Sequence, residues 1–174
     1  VPEKLLFDDY VASKPATKVD LRGWIVNKGL FRSIQEKCKS VLQELYLEDC
    51  LGLSVPMLET IRGASRLRIL NLANTGIDIT FQAAQILGSL PRLIDLNISG
   101  CKVDITSFSI VCNTCQALKS LTCQGCPGLD DFCLQALAAC MQRFRRLQCI
   151  DLSKGISYGD EGYISVLGAT PKLI

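Results

Sequence analysis

The chain contains no histidine. That removes the commonest general base and the commonest zinc ligand, so catalysis starts from a low expectation. Long apolar runs are missing as well. Nothing approaches the roughly 20 residues needed to cross a bilayer, and the opening VPEKLLFDDY lacks the basic start and apolar stretch of a signal peptide. The chain therefore reads as soluble, with no membrane partner. Nor is either charge in marked excess: 19 lysines and arginines face 17 acidic residues, a formal net charge of +2, and nucleic acid is not an expected partner. The basic cluster Arg143, Arg145 and Arg146 is short and lacks interleaved aromatics, so it reads as a solvated helix end. No phosphate loop, G-x-S-x-G elbow or H-E-x-x-H motif occurs. The paired carboxylates Asp8 with Asp9 and Asp160 with Glu161 read as solvated groups near helix ends. No catalytic residues, no cofactor and no enzyme activity are expected.

What is present argues for a packed domain. At 174 residues, 48% hydrophobic and 21% charged, the chain can bury a core and is expected to form a single domain over residues 1–174. Ten cysteines require a redox assignment. Most fall where leucine or another small apolar residue would serve, so they read as reduced, buried thiols of a cytoplasmic or nuclear protein. The chain begins with Val1 and ends at Leu173 and Ile174, and it reads as a fragment.

The dominant signal is internal repetition, tested first because a missed repeat misassigns the whole fold. Aligned on LQELYLEDC (42–50) are LRILNLANT (67–75), LIDLNISGC (93–101), LKSLTCQGC (118–126) and LQCIDLSKG (147–155), with a weaker copy ATKVDLRGW at 16–24. A cut-off copy begins at Leu173, so the copies start 25 to 29 residues apart and number about six. Positions four and six of each copy share one face of a short strand, because β side chains alternate, and position one packs behind them. Each copy thus offers three or four apolar side chains, worth roughly 1.5 to 3 kcal/mol apiece when fully buried. One copy cannot enclose them alone.

Position nine is held by Cys50, Thr75, Cys101 and Cys126, with Trp24 and Gly155 departing at the ends. A small side chain with a weak donor suits a crowded turn whose buried backbone groups need partners. Between the strands, residues 55–64, 80–90, 106–115 and 130–141 carry apolar residues at helical spacing, with starts expected at Pro56, Thr80, Thr106 and Asp130.

The pattern L-x-x-L-x-L-x-x-C/N resembles the leucine-rich repeat family over almost the whole chain. The resemblance implies an α/β fold: a right-handed solenoid in a horseshoe arc, parallel strands on the concave face and helices on the convex face. Residues 1–15 would be an N-terminal helix or cap. The stretch CPGLDDFCLQALAACMQRFRRLQCIDL (126–152) resembles the cysteine-containing subfamily found in F-box proteins, through Cys126, Pro127, Leu129, Asp131, Leu134, Leu137 and Asp130 or Cys140, with Asp130 in place of the usual threonine. That likeness implies a substrate receptor of a ubiquitin ligase. Leucine-rich repeats of this kind also resemble scaffold subunits of cytoskeletal, ciliary or regulatory complexes.

Two sharper motifs give way to the repeat. Cys112, Cys115, Cys123 and Cys126 spell C-x2-C-x7-C-x2-C, a zinc-like spacing, yet the repeat accounts for three of the four, so no metal is expected. The sequon Asn97, Ile98, Ser99 lies inside a strand and reads as structural. The expected working surface is the row of side chains between the core leucines. Its centre line is Asp20, Tyr46, Asn71, Asn97, Thr122 and Asp151, flanked by Arg22, Glu48, Ser99 and Gln124 on one side and by Glu44 and Asp95 on the other. This ribbon is polar, modestly acidic and short of aromatics, with Tyr46 its one anchor, and it is expected to bind a protein partner. A solenoid lacking a polar C-terminal cap is further expected to self-associate through that end.

Overall fold

The computed structural model describes residues 15–141, 146–155 and 159–169. The expected N-terminal helix or cap, Arg143 and Arg145 of the basic cluster, and the cut-off copy at Leu173 with the open end it implies lie outside the described residues.

In chain order the first half comprises β1 (Lys18–Asp20), α1 (Lys28–Lys37), β2 (Glu44–Tyr46), α2 (Val55–Leu58), a 3-10 turn at Glu59–Ile61, β3 (Ile69–Asn71), β4 (Asp78–Ile79) and α3 (Phe81–Gly88). The second comprises β5 (Asp95–Asn97), β6 (Lys102–Val103), α4 (Ile105–Thr114), β7 (Ser120–Thr122), α5 (Asp131–Cys140), β8 (Cys149–Asp151) and α6 (Asp160–Ala169). Strands β1, β2, β3, β5, β7 and β8 form one parallel sheet in that order, and β4 pairs with β6 in a second. The result is a mixed α/β fold.

The repeat alignment and the strand register coincide residue for residue. Val19, Leu45, Leu70, Leu96, Leu121 and Ile150 lie side by side across the large sheet. All but Ile150 are buried, and Ile150 packs partly covered against the same core. Positions six and one follow, with Leu47, Leu72, Ile98 and Cys123 and, behind them, Leu42, Leu67, Leu93 and Leu118 fully enclosed. Backbone bonds repeat with the same step. The amides of Leu47, Leu72, Ile98 and Cys123 donate to the carbonyls of Asn71 (2.8 Å), Asn97 (2.8 Å), Thr122 (2.9 Å) and Asp151 (2.8 Å) on the next strand.

Two positions then turn the chain out of the sheet. Position eight has a positive φ in every coil, at Gly23, Asp49, Asn74, Gly100, Gly125 and Lys154. Glycine, asparagine and aspartate tolerate this left-handed conformation best, and five of the six are of those types. Position nine supplies the tie between coils. The Cys50 thiol donates to the Leu21 carbonyl (2.8 Å), Cys101 to Leu72 (3.2 Å) and Cys126 to Ile98 (3.1 Å), each reaching the preceding coil. Thr75 departs, donating instead to the Leu72 carbonyl of its own coil (2.8 Å). Buried carbonyls that water cannot reach are thereby satisfied.

Helix starts follow side-chain chemistry. The Thr80 hydroxyl accepts from the Ala83 amide (3.3 Å) and the Asp130 carboxylate from the Cys133 amide (2.9 Å), as the sequence indicated. Thr106 is a correction: the cap lies two residues earlier at Asp104, whose carboxylate accepts both the Ser107 amide (2.9 Å) and its hydroxyl (3.0 Å). Residues 55–64, read as one helix, also differ. Pro56 sits in the first turn, but α-helix persists only through Leu58 and tightens to 3-10 before Gly63, whose φ is positive. Helices α1 and α6 and the short strands β4 and β6 were not legible in the repeat pattern.

The packing predicts that Leu96→Ala lowers unfolding free energy by about 2 to 5 kcal/mol, as for other fully buried leucines; a loss below about 1 kcal/mol in urea titration would contradict the shared core. Nine of the ten cysteines are buried and Cys149 is exposed. Burial pushes the Cys101, Cys115 and Cys133 thiols up to about 11, and thiolate is the reactive form. Brief alkylation of the native protein read by mass spectrometry is expected to mark Cys149 and spare Cys101 and Cys115; rapid labelling of either would refute their burial.

Candidate protein-binding surface

Strand alternation points positions three, five and seven away from the core, and every predicted binding residue except Ser99 is exposed or half-buried; Ala73, also at position seven, is buried. Asp20 and Arg22 are exposed; Glu44, Tyr46, Glu48, Asn71, Asp95, Asn97, Thr122, Gln124 and Asp151 are half-buried. Ser99 is a correction to the expected surface. It is buried, its hydroxyl accepting the Gln124 amide (3.1 Å), because the coils approach closely there. Its place is in the frame.

Part of the centre line also serves the frame. The side-chain oxygens of Asp20, Asn71, Asn97 and Asp151 each accept the amide two residues on, at Arg22 (3.3 Å), Ala73 (2.9 Å), Ser99 (2.9 Å) and Ser153 (2.9 Å). These are Asx turns, in which a short side chain satisfies the backbone as the strand ends. The recurrence of Asp or Asn at position five is the sequence signal of these turns. The remaining side-chain atom of Asp20, Asn71 and Asp151 meets Arg22, Glu48 and Gln124 in turn.

Charge concentrates at the first two coils. Tyr46 donates its hydroxyl to Glu44 (3.1 Å), and Lys18 pairs with the same carboxylate (3.4 Å). Lys18 Nζ lies 4.8 Å and the Arg22 guanidinium carbon 5.7 Å from the centre of the Tyr46 ring, so two cations flank the aromatic face. Arg22 in turn grips Asp20 through two nitrogens (2.9 and 2.7 Å), which holds the Asp20 carboxyl below its usual range. Burial, then the hydrogen bond to Glu44, pushes the Tyr46 hydroxyl upward. From the third coil Asn71 donates to Glu48 (3.2 Å). Further along, Gln124 donates to Asp151 and lowers its carboxyl. Side chains from neighbouring coils thus fix one another, so little rotamer freedom is left to lose on binding.

Asp95 is the exception. It stands in mid-sheet between Ile69 and Ser120 in register, half-buried, and among the described residues no cation pairs with it. Burial pushes its carboxyl above the ordinary 3.8, opposed only by a hydrogen bond with Ser120. Among the described residues no three of His, Cys, Asp and Glu converge to hold a metal, and Cys126 of the zinc-like spacing spends its thiol on the Ile98 carbonyl.

A raised carboxylate value stabilises the fold fully below the unfolded value, and that contribution is lost as pH rises through the folded value. Asp95→Asn is therefore expected to unfold at higher urea than the parent at pH 7, the gap closing as pH falls towards 3.8. A variant less stable than the parent at pH 7 would show that the carboxylate supports the fold.

No protein-family model matches the chain. Among solved structures it is similar to the Caenorhabditis elegans tropomodulin C-terminal domain, over 82% of this chain and 89% of that one, with a TM-score of 0.60 and 13% identity. At that identity the likeness concerns the fold alone, a leucine-rich-repeat-like arrangement with a parallel sheet.

Proposed function

We propose that the chain is a protein-binding module without catalytic chemistry: a right-handed solenoid bent into a horseshoe arc, whose concave sheet face grips a partner protein. The observation that carries this reading is the Tyr46 cluster, one aromatic ring held by Lys18, Arg22 and Glu44 from two coils and continued by Glu48 and Asn71. Tyrosine and arginine are among the residues enriched at interface hot spots. Asp95 supports the same reading, since a half-buried carboxylate lacking a cation destabilises the free protein and suits a partner's lysine or arginine.

Between the two roles that the sequence resemblance implied, we favour the structural scaffold subunit of a cytoskeletal, ciliary or regulatory complex. The ligase-receptor role rests on residues 126–152 alone. The scaffold role gains from the fold's likeness to a tropomodulin domain. A reducing, cytoplasmic or nuclear setting belongs to the proposal, supported by thiols that act as hydrogen-bond donors between coils.

The test is a comparative pull-down. Proteins recovered on the parent chain are expected to fall at least tenfold on Tyr46→Ala and on Glu48→Arg, while remaining on a variant altered at exposed Gln135 of α5. Unchanged recovery on both ribbon variants would refute the proposal.

A further inference from the structure

A second surface lies on the helical side, away from the ribbon, and its origin is local. The first coil carries a 10-residue helix, α1, whereas the second has only the four residues of α2 before its 3-10 turn. The mismatch leaves a cleft of about 400 Å³ between them. Along one wall run Lys28, Arg32 and Gln35, spaced i, i+4 and i+7 and hence on one face of α1; Pro56 and Thr60 form the other. The exposed Lys28 and Arg32 make no ion pair among the described residues. Glu59, beside Thr60, is held by Arg62. The Thr60 hydroxyl is spent on the Met57 carbonyl (2.7 Å), so the charged groups offered to the cleft are cationic donors.

We propose that this cleft binds an extended acidic segment of a partner protein, two of whose carboxylates meet Lys28 and Arg32. Charge complementarity selects the sign. Spacing selects the conformation. Alternate residues of an extended chain lie about 6.6 Å apart, close to the rise of about 6 Å between Lys28 and Arg32 along α1. Gln35, one turn further, offers its amide to the segment's backbone or to a third polar side chain. This site is independent of the concave-face proposal, since it shares no residue with the ribbon.

The probe is a fluorescein-labelled peptide of alternating glutamate and serine, followed by fluorescence anisotropy, with the glutamine-for-glutamate peptide as control. Saturable binding to the glutamate peptide is expected, weakening about tenfold in Lys28→Glu/Arg32→Glu and severalfold as salt rises from about 0.05 to about 0.5 M. Tyr46→Ala is expected to leave it unchanged, which separates this site from the ribbon. Absence of saturable binding, equal affinity for the glutamine peptide, or full affinity in the double charge reversal would overturn the proposal. Lys28 and Arg32 are both exposed, so their reversal does not disturb the core.

Discussion

The whole structure depends on one constraint: a coil of about 26 residues cannot enclose its own leucines. Position four of each strand is covered by its counterparts on either side, and this places Leu45, Leu70, Leu96 and Leu121 shoulder to shoulder. Because β structure alternates every residue, a shift of one would turn that row outward. Register is therefore fixed by burial, and the amide ladder between coils follows from it.

The same constraint creates the outer surface. Once positions four and six face the core, position five and most residues at positions three and seven turn outward, on strands held by their neighbours, whereas Ala73 and Ser99 at position seven are buried. The thiols at position nine add to that hold. Cysteine reaches the carbonyl of the preceding coil, where Thr75 satisfies a carbonyl of its own, so residue choice at one position alters how adjacent coils are tied. The ribbon and the frame also share residues. Asp20, Asn71, Asn97 and Asp151 brace the strand exit with one atom, and Asp20, Asn71 and Asp151 engage Arg22, Glu48 and Gln124 with the other.

Legibility in the sequence followed the physics. The period, the strand register and the buried leucines were readable because each depends on a side-chain type recurring at fixed spacing. Cys50, Cys101 and Cys126 were readable as small donors, though not as ties to the previous coil, since the acceptor is a backbone carbonyl that no residue identity marks. The left-handed residue at position eight left a Gly, Asp or Asn signal that composition of the turn alone had obscured. Ser99 was misplaced because alternation predicts direction, not how closely the next coil approaches. The cleft beside α1 was invisible for a related reason: it arises from the unequal lengths of two neighbouring helices, and only Pro56 and Gly63 hinted that the second would be short.

Residue-resolved amide hydrogen exchange tests the stacking most directly. The amides of Leu47, Leu72, Ile98 and Cys123 have their partners on the following strand, so their protection reports contact between coils and nothing within one. The account predicts that all four are strongly protected and lose protection together when the chain unfolds. Exchange at the rate of an unstructured chain at these four sites, with protection confined to the helices, would contradict it.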